Sequence, residues 1–176
     1  TANHFRPSSF VFRPLTISFE GVAYAYPGER HALNGVSFEI PAGQVTALIG
    51  ASGSGKSTIA DLLLRFISPQ RGQIKVTGEL LAEIPPEAWR AQVAWVPQTP
   101  FLFSTSALEN IRLGRPGASL EAITAAARLA RAHDFIEQLP SGYETPLGER
   151  GARLSSGQAQ RIALARAFLM DAPFLI

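Results

Sequence analysis

The pattern of apolar and polar residues changes along the chain, and each pattern predicts a different kind of secondary structure. Apolar and polar residues alternate over 16–24 and 36–40, which predicts two strands of an antiparallel sheet. Short apolar runs at 45–49, 73–76 and 93–96 are typical of buried strands. Strands therefore dominate the first part of the chain.

Helical patterns lie between these strands and dominate from about residue 104 onward. Ser or Asp marks several helix starts, because its side-chain oxygen can accept a hydrogen bond from the first turn. The sequence predicts helices at 57–67 and 85–91, a helix after the capping box that begins at Ser106, helices from Ser119 to 131 and from Asp134 to 139, a helix at 156–169, and a strand from 174. The result is an α/β chain with an inserted helical region at about 100–155.

A glycine-rich run lies between the strand predicted at 45–49 and the helix that follows it. It fits G-x-x-x-x-G-K-[ST], the phosphate-binding loop of nucleotide hydrolases. Its glycines allow backbone N–H groups to point inward at phosphate oxygens, and the helix directs its positive end at the same anion. The predicted phosphate-binding residues, called the phosphate loop below, are Gly50, Ser52, Gly53, Ser54, Gly55, Lys56, Ser57 and Thr58.

Two side chains of this loop have specific predicted roles. Lys56 is expected to reach the β- and γ-phosphates of the nucleotide. The hydroxyl of Ser57 is expected to ligate Mg²⁺. The sequence therefore predicts a magnesium–nucleotide site.

Composition narrows the possible classes of protein. With 176 residues, of which 46% are hydrophobic, the chain can form a folded domain. It contains no Cys, which excludes disulfides, and its three His are scattered, which disfavours a zinc site. The net charge is only +2 and the arginines are spread along the chain, so a nucleic-acid partner is not expected.

A second motif follows the phosphate loop by about 100 residues and precedes a predicted helix. Serine hydroxyls and backbone N–H groups at a helix start can form a second anion site. The motif resembles the signature of ABC transporters, usually written LSGGQ. The signature segment consists of Leu154, Ser155, Ser156, Gly157 and Gln158.

The resemblance implies that two nucleotide-binding domains dimerise head to tail with ATP between them. Each signature segment would then contact the γ-phosphate of the ATP that the other domain holds. A second ABC nucleotide-binding domain is thus an expected partner, together with a membrane domain of the same polypeptide. ATP and Mg²⁺ are the expected ligands.

Ser156 replaces the first glycine of the usual signature pair. If the position requires a positive φ, a residue other than glycine costs about 1 kcal/mol or more. If it has ordinary helix-start geometry, Ser is tolerated and adds a donor, and we favour this second alternative. The first alternative would leave a weakened signature in an asymmetric dimer.

Three further positions resemble functional positions of the family. Gln98, after a buried strand, looks like the Q-loop glutamine that contacts Mg²⁺ and the attacking water, and it would also act as a hinge. Tyr26 resembles the aromatic residue that stacks on adenine, although Tyr24 lies two residues away on the same strand face. The stretch 101–103 is either local core or a surface that faces the membrane domain.

The segment 145–151 resembles the X-loop region of ABC exporters, although Pro146 stands where exporters commonly have Glu. The runs 86–90, 94–98 and 148–167, the last with GQAQR around Ala159, are similar to thiol-reductant exporters required for cytochrome bd assembly. That resemblance implies a heterodimer at the cytoplasmic face of the bacterial inner membrane, although a homodimer is also possible. It also implies cysteine or glutathione as the exported substrate.

The family resemblance implies an α/β fold with a P-loop NTPase (RecA-like) core, an antiparallel β subdomain and an inserted helical subdomain. Residues 1–14 are expected to be a linker from a membrane domain, and 15–176 a nucleotide-binding domain truncated at its C-terminus. In the family an Asp-Glu pair and a switch His would follow Ile176. Lys56 and Gln98 are the expected catalytic residues within this chain.

The predicted function is the ATP-binding domain of an ABC exporter half-transporter, which couples ATP hydrolysis to export of a small substrate. Two alternatives stay open. One is a soluble ABC ATPase that acts on DNA or ribosomes. The other is a non-hydrolytic ATP-binding subunit of a heterodimer.

We expect residues 1–176 alone to hydrolyse ATP no faster than their Lys56→Ala variant, because the resemblance puts the catalytic carboxylates after Ile176. Phosphate release measured for both proteins checks this expectation. A turnover well above that of Lys56→Ala would contradict it.

Overall fold

The computed structural model describes residues 15–28, 31–148, 151 and 154–176. The chain forms two compact units, Thr1–Trp89 and Arg90–Ile176. The expected linker at 1–14 lies outside the described residues. In the part of the chain that is described, no helix has the length and apolar character needed to cross a membrane.

The first unit is built on an antiparallel sheet of four strands, β1 (Ile17–Ala25), β2 (His31–Ile40), β3 (Arg71–Val76) and β4 (Glu79–Leu80). They lie in the order β2-β1-β3-β4, which confirms the predicted antiparallel strands. β2 begins five residues before the predicted start at 36, because His31 and Leu33 pair with Ala25 and Tyr24 at the end of β1.

Two helices complete this unit, α1 (Lys56–Leu63) and α2 (Pro86–Arg90). α1 is shorter than the predicted 57–67, because Arg65 has a left-handed backbone with φ 56°. The N–H of Phe66 then bonds to the carbonyl of Asp61 and closes the helix end. The Trp89 indole is fully buried and donates to the carbonyl of Leu63.

The strand predicted at 45–49 is wrong for this structure. These residues have no regular secondary structure, and Val45 and Ile49 are 100% and 91% exposed. A strand requires a neighbour for its N–H and C=O groups. No backbone hydrogen bond within the described residues involves this segment. Its apolar composition predicts burial, but pairing decides whether a strand forms.

The second unit combines a two-stranded parallel sheet with helices. β5 (Val93–Ala94) pairs with β6 (Phe174–Leu175). The helical elements are α3 (Ala107–Arg112), α4 (Leu120–Leu129), α5 (His133–Glu137), a 3₁₀ turn (Gly142–Glu144) and α6 (Ser156–Met170). Helix α6 packs against α3 and α4 around an apolar core that includes Leu102, Ile111, Ile123 and Ile162.

Two of the predicted helix caps are confirmed and one is wrong. The Ser106 and Ser119 side chains accept hydrogen bonds from the N–H groups three residues later. Asp134 is not the cap of α5, which begins one residue earlier at His133 with Ala132 as its N-cap. The N–H of Ala132 bonds to the Ala127 carbonyl beside Arg131, which has φ 55°, so this bond closes the end of α4 and α5 begins directly after it.

We expect Gly72→Ala to lower the free energy of unfolding much more than Gly78→Ala. Both glycines have positive φ, which costs an added side chain about 1 kcal/mol. A Cβ at Gly72 would also lie 2.3 Å from the Gly21 carbonyl oxygen, whereas a Cβ at Gly78 has no neighbour within 4 Å. The clash should cost about 2 kcal/mol more. Urea unfolding of both variants measures the difference, and equal losses would contradict the expectation.

Candidate functional site

The phosphate loop is seated on strand β2 through Gly55. Gly55 is the N-cap of α1 and has a left-handed backbone with φ 89°. A Cβ at this position would lie 2.7 Å from the Ala32 carbonyl oxygen and 2.7 Å from Cδ2 of Leu33. Only glycine accommodates both the conformation and the close approach. The turn from loop to helix is therefore set by backbone packing.

The ammonium group of Lys56 lies within the curl of this loop. Its Nζ donates to the carbonyls of Gly50 at 2.9 Å and Ala51 at 2.8 Å, and to Ser54 Oγ at 3.2 Å. The Ser54 N–H in turn bonds to the Ala51 carbonyl at 3.2 Å. A positive charge is thus placed where the sequence predicts phosphate oxygens.

The start of α1 adds further groups that suit an anion. The first N–H groups of a helix have no intrahelical acceptor, and the first turn of α1 contains no acidic side chain. Ser57 is exposed, so its hydroxyl is accessible from the loop side of the helix start, whereas Thr58 is only 4% exposed. Within the described residues, no group of three His, Cys, Asp or Glu could hold a metal ion.

Tyr26 is joined to the helix that follows the phosphate loop. Its hydroxyl donates to Asp61 Oδ2 at 3.3 Å and lies 3.5 Å from Thr58 Oγ1. Its ring contacts Tyr24 edge to face, with ring centroids 5.0 Å apart. Sequence reasoning identified Tyr26 but missed Asp61. The available signal was an acidic residue three positions after Thr58, where helical side chains are neighbours.

Gln98 belongs to the second unit, whereas the phosphate loop and Tyr26 belong to the first. Its side chain is exposed and follows β5 by four residues. The β5–β6 ladder extends to Val96, whose N–H bonds to the Ile176 carbonyl at 2.8 Å. The backbone that leads into Gln98 is therefore ordered by the sheet.

The signature segment forms the start of α6 as a complete capping box. Ser155 Oγ accepts from the Gln158 N–H at 3.2 Å, and Gln158 Oε1 accepts from the Ser155 N–H at 2.9 Å. Ser156 is the first helical residue and does not have a positive φ. This confirms the expected helix-start geometry for Ser156. Ser155, Ser156 and Gly157 are exposed, so the positive end of a 15-residue helix faces outward.

The stretch 101–103 divides between the two predicted roles. Leu102 is fully buried in the core of the second unit. Phe101 and Phe103 are 54% and 50% exposed and contact each other edge to face, with ring centroids 5.0 Å apart.

Pro146 of the X-loop segment forms an antiparallel bridge with Ser106, while Glu149 and Arg150 lie outside the described residues.

A buried Asn110 organises the backbone after Gln98, and sequence reasoning missed it. Its amide donates to the carbonyls of Phe103 and Ser106 at 3.0 Å each and accepts from the Phe103 N–H at 2.9 Å. Arg166 of α6 donates to the Asn110 carbonyl at 3.0 Å. Burial of the Arg166 guanidinium lowers the pKa of that group. The available signal was an Asn inside a helix, where Asn is unfavourable unless its amide has partners.

Comparison with known proteins adds independent information. Residues 33–176 match the protein family described as "ABC transporter". The chain is 42% identical to a solved structure titled "Structure of a bacterial Atm1-family ABC exporter with ATP bound", with a TM-score of 0.89 over 95% of this chain and 30% of that chain. The structural match supports the predicted fold class of a P-loop ATPase domain.

The curated relatives are similar in kind to the solved exporter structure. The chain is 49% identical over 161 residues to the ATP-dependent lipid A-core flippase of Chromobacterium violaceum, which covers 91% of this chain and 28% of that protein. It is 45% identical over 170 residues to the mitochondrial iron-sulfur clusters transporter ABCB7 of Oryzias latipes, with coverages of 97% and 23%. It is 44% identical over 170 residues to the ATM1-type heavy metal exporter of Novosphingobium aromaticivorans, with coverages of 97% and 28%. The chain therefore spans about a quarter of the length of these relatives.

We expect Ser155→Ala to destabilise the second unit by about 1 kcal/mol, because the N-cap hydroxyl is lost. Ser156→Ala is the matched control, since Ser156 is exposed and does not cap the helix. It should change stability by less than about 0.5 kcal/mol. Urea unfolding of both variants measures these values, and an equal effect of the two would contradict the assignment of the cap.

Proposed function

The chain belongs to the ABC transporter family, and we propose that it serves there as the ATP-binding and ATP-hydrolysing domain of an exporter. The observation that carries this proposal is the Lys56 ammonium held within the glycine loop at the start of α1. That arrangement presents a positive charge and free helix N–H groups to the same anion. The similarity to an Atm1-family exporter supports an export function.

The residues of the first unit fit a magnesium–nucleotide. Lys56 can release its loop carbonyls and donate instead to β- and γ-phosphate oxygens, which are stronger, charged acceptors. The exposed Ser57 hydroxyl would ligate Mg²⁺, which supplies neutralisation of charge on those oxygens. Tyr26, next to α1, is proposed to stack on the adenine ring, and such stacking contributes about 1–3 kcal/mol.

Gln98 is proposed to orient the attacking water and to contact Mg²⁺. An amide side chain suits this role because it can donate and accept at once. Its exposure and its place after an ordered strand support the role. The same loop would serve as a hinge between nucleotide and helical region.

A second ABC nucleotide-binding domain is the proposed partner. The exposed start of α6 supports this, because Ser155, Ser156 and Gly157 can meet a phosphate held by another domain. The ordinary helical geometry of Ser156 gives no reason to expect a weakened signature, and this favours a hydrolytic domain over a non-hydrolytic subunit. The proposed assembly is a heterodimer in which each polypeptide also contains a membrane domain. Its proposed location is the cytoplasmic face of a bacterial inner membrane.

The exported substrate is proposed from the sequence around the signature segment. The run around Ala159 resembles thiol-reductant exporters and supports cysteine or glutathione. The relatives described above bear names that refer instead to lipid A-core, iron–sulfur clusters and heavy metal. These names describe a flippase, a transporter and an exporter, and this favours an exporter over a soluble ATPase that acts on DNA or ribosomes.

We expect the protein expressed in full from its gene to hydrolyse Mg²⁺·ATP, and Lys56→Ala to lower the turnover number by about 10² or more, because an electrostatic donor at the phosphates is lost. Lys75→Ala is the matched control, since Lys75 forms an ion pair with Glu20 in the sheet. Such a half-exposed pair contributes about 1 kcal/mol or less, so turnover should stay near that of the unsubstituted protein. Phosphate release is measured for all three, and full activity of Lys56→Ala would overturn the proposal.

A further inference from the structure

Two side chains of α6 donate hydrogen bonds to backbone carbonyls of the loop that contains Gln98. One of these carbonyls lies before Gln98 in the sequence and the other lies after it. Gln160 donates from Nε2 to the Pro97 carbonyl at 3.2 Å. Arg166 donates from Nη1 to the Phe101 carbonyl at 3.3 Å. These partners are 63 and 65 residues apart in sequence, so the contacts are tertiary. We call residues 97–101 the Gln98 loop.

The two donor side chains differ in how many other hydrogen bonds they make. Arg166 also donates to the carbonyl and to Oδ1 of Asn110, so its loss would disturb the buried network around α3. Gln160 is half-buried, and within the described residues its side chain makes the single hydrogen bond to Pro97. Gln160 is therefore the contact that can be removed without dismantling the core.

Helix α6 joins this contact to the signature segment. Gln160 lies two residues after Gln158, whose side chain closes the capping box with Ser155. If the first turns of α6 move as one body, a shift of the Pro97 backbone reaches the helix start, and a shift of the helix start reaches the Gln98 loop.

We propose that Gln160 is a positioning residue that couples the Gln98 loop to the signature segment. Its amide donor keeps the loop in register with α6, so the position of Gln98 at its own nucleotide and that of the signature segment at the partner's nucleotide change together. The proposal rests on the proposed function in one respect, namely that Gln98 contacts the nucleotide site. A neutral hydrogen bond of this kind changes a local equilibrium by about fivefold.

Three variants of the protein expressed in full separate the donor from other properties of the side chain. Gln160→Glu keeps the size but places an acceptor against the Pro97 carbonyl. Gln160→Lys restores a donor. Gln138→Glu is the matched control, because it makes the same charge change at an exposed position after α5. Gln160→Met, which is neutral and cannot donate, replaces Gln160→Glu if that variant does not fold.

The first measurement is amide hydrogen exchange without nucleotide, which does not depend on activity. The amide of Val96, which is next to Pro97 and bonds to the Ile176 carbonyl, should exchange about fivefold faster in Gln160→Glu. Gln160→Lys should restore slow exchange, and Gln138→Glu should match the unsubstituted protein. Unchanged exchange in Gln160→Glu would overturn the positioning role.

The second measurement separates coupling from a merely structural role. In Gln160→Glu the turnover number for ATP should fall about fivefold while the dissociation constant for ATP stays unchanged. Added to Gln98→Ala, the substitution should cause no further loss. An unchanged turnover number, or an additive loss, would overturn the coupling. Absence of hydrolysis by the unsubstituted protein would overturn the proposed function and the coupling, and the exchange result would still decide the contact.

Discussion

The close approach of strand β2 to Gly55 is the constraint on which the candidate phosphate site depends. The Ala32 carbonyl occupies the space that any side chain at Gly55 would need. α1 begins directly after the left-handed backbone of this residue, and Lys56 at the helix start donates to the loop carbonyls of Gly50 and Ala51. The electrostatics of the site therefore follow from a steric fit between backbones.

Helix α6 has the corresponding role in the second unit. Its capped start carries the signature segment, and its middle supplies the donors that hold the Gln98 loop. Gly114 permits a close approach of the chain after α3, since a Cβ there would lie 2.1 Å from the Arg166 carbonyl oxygen. One helix thus links the two motifs of this unit that the sequence assigns to nucleotide chemistry.

Sequence reasoning succeeded where a local signal is sufficient and failed where pairing decides. Ser106 and Ser119 cap their helices as predicted, because each cap joins residues three positions apart. The apolar run at 45–49 was expected to be a strand, yet it has no backbone partner in the described part of the chain. An apolar composition indicates a preference for burial, whereas a strand also requires a neighbouring strand for its backbone N–H and C=O groups.

The positions of the phosphate loop, the signature segment and most helices could be predicted from the amino-acid sequence alone, because these features depend on neighbours along the chain. The tertiary structure alone decided that Tyr26 bonds to Asp61, that Leu102 is core while Phe101 is exposed, and that Gln160 holds Pro97. These contacts join residues tens of positions apart or depend on which face the fold covers. Motifs therefore predict the chemistry, and long-range packing sets the positions of the groups proposed to carry it.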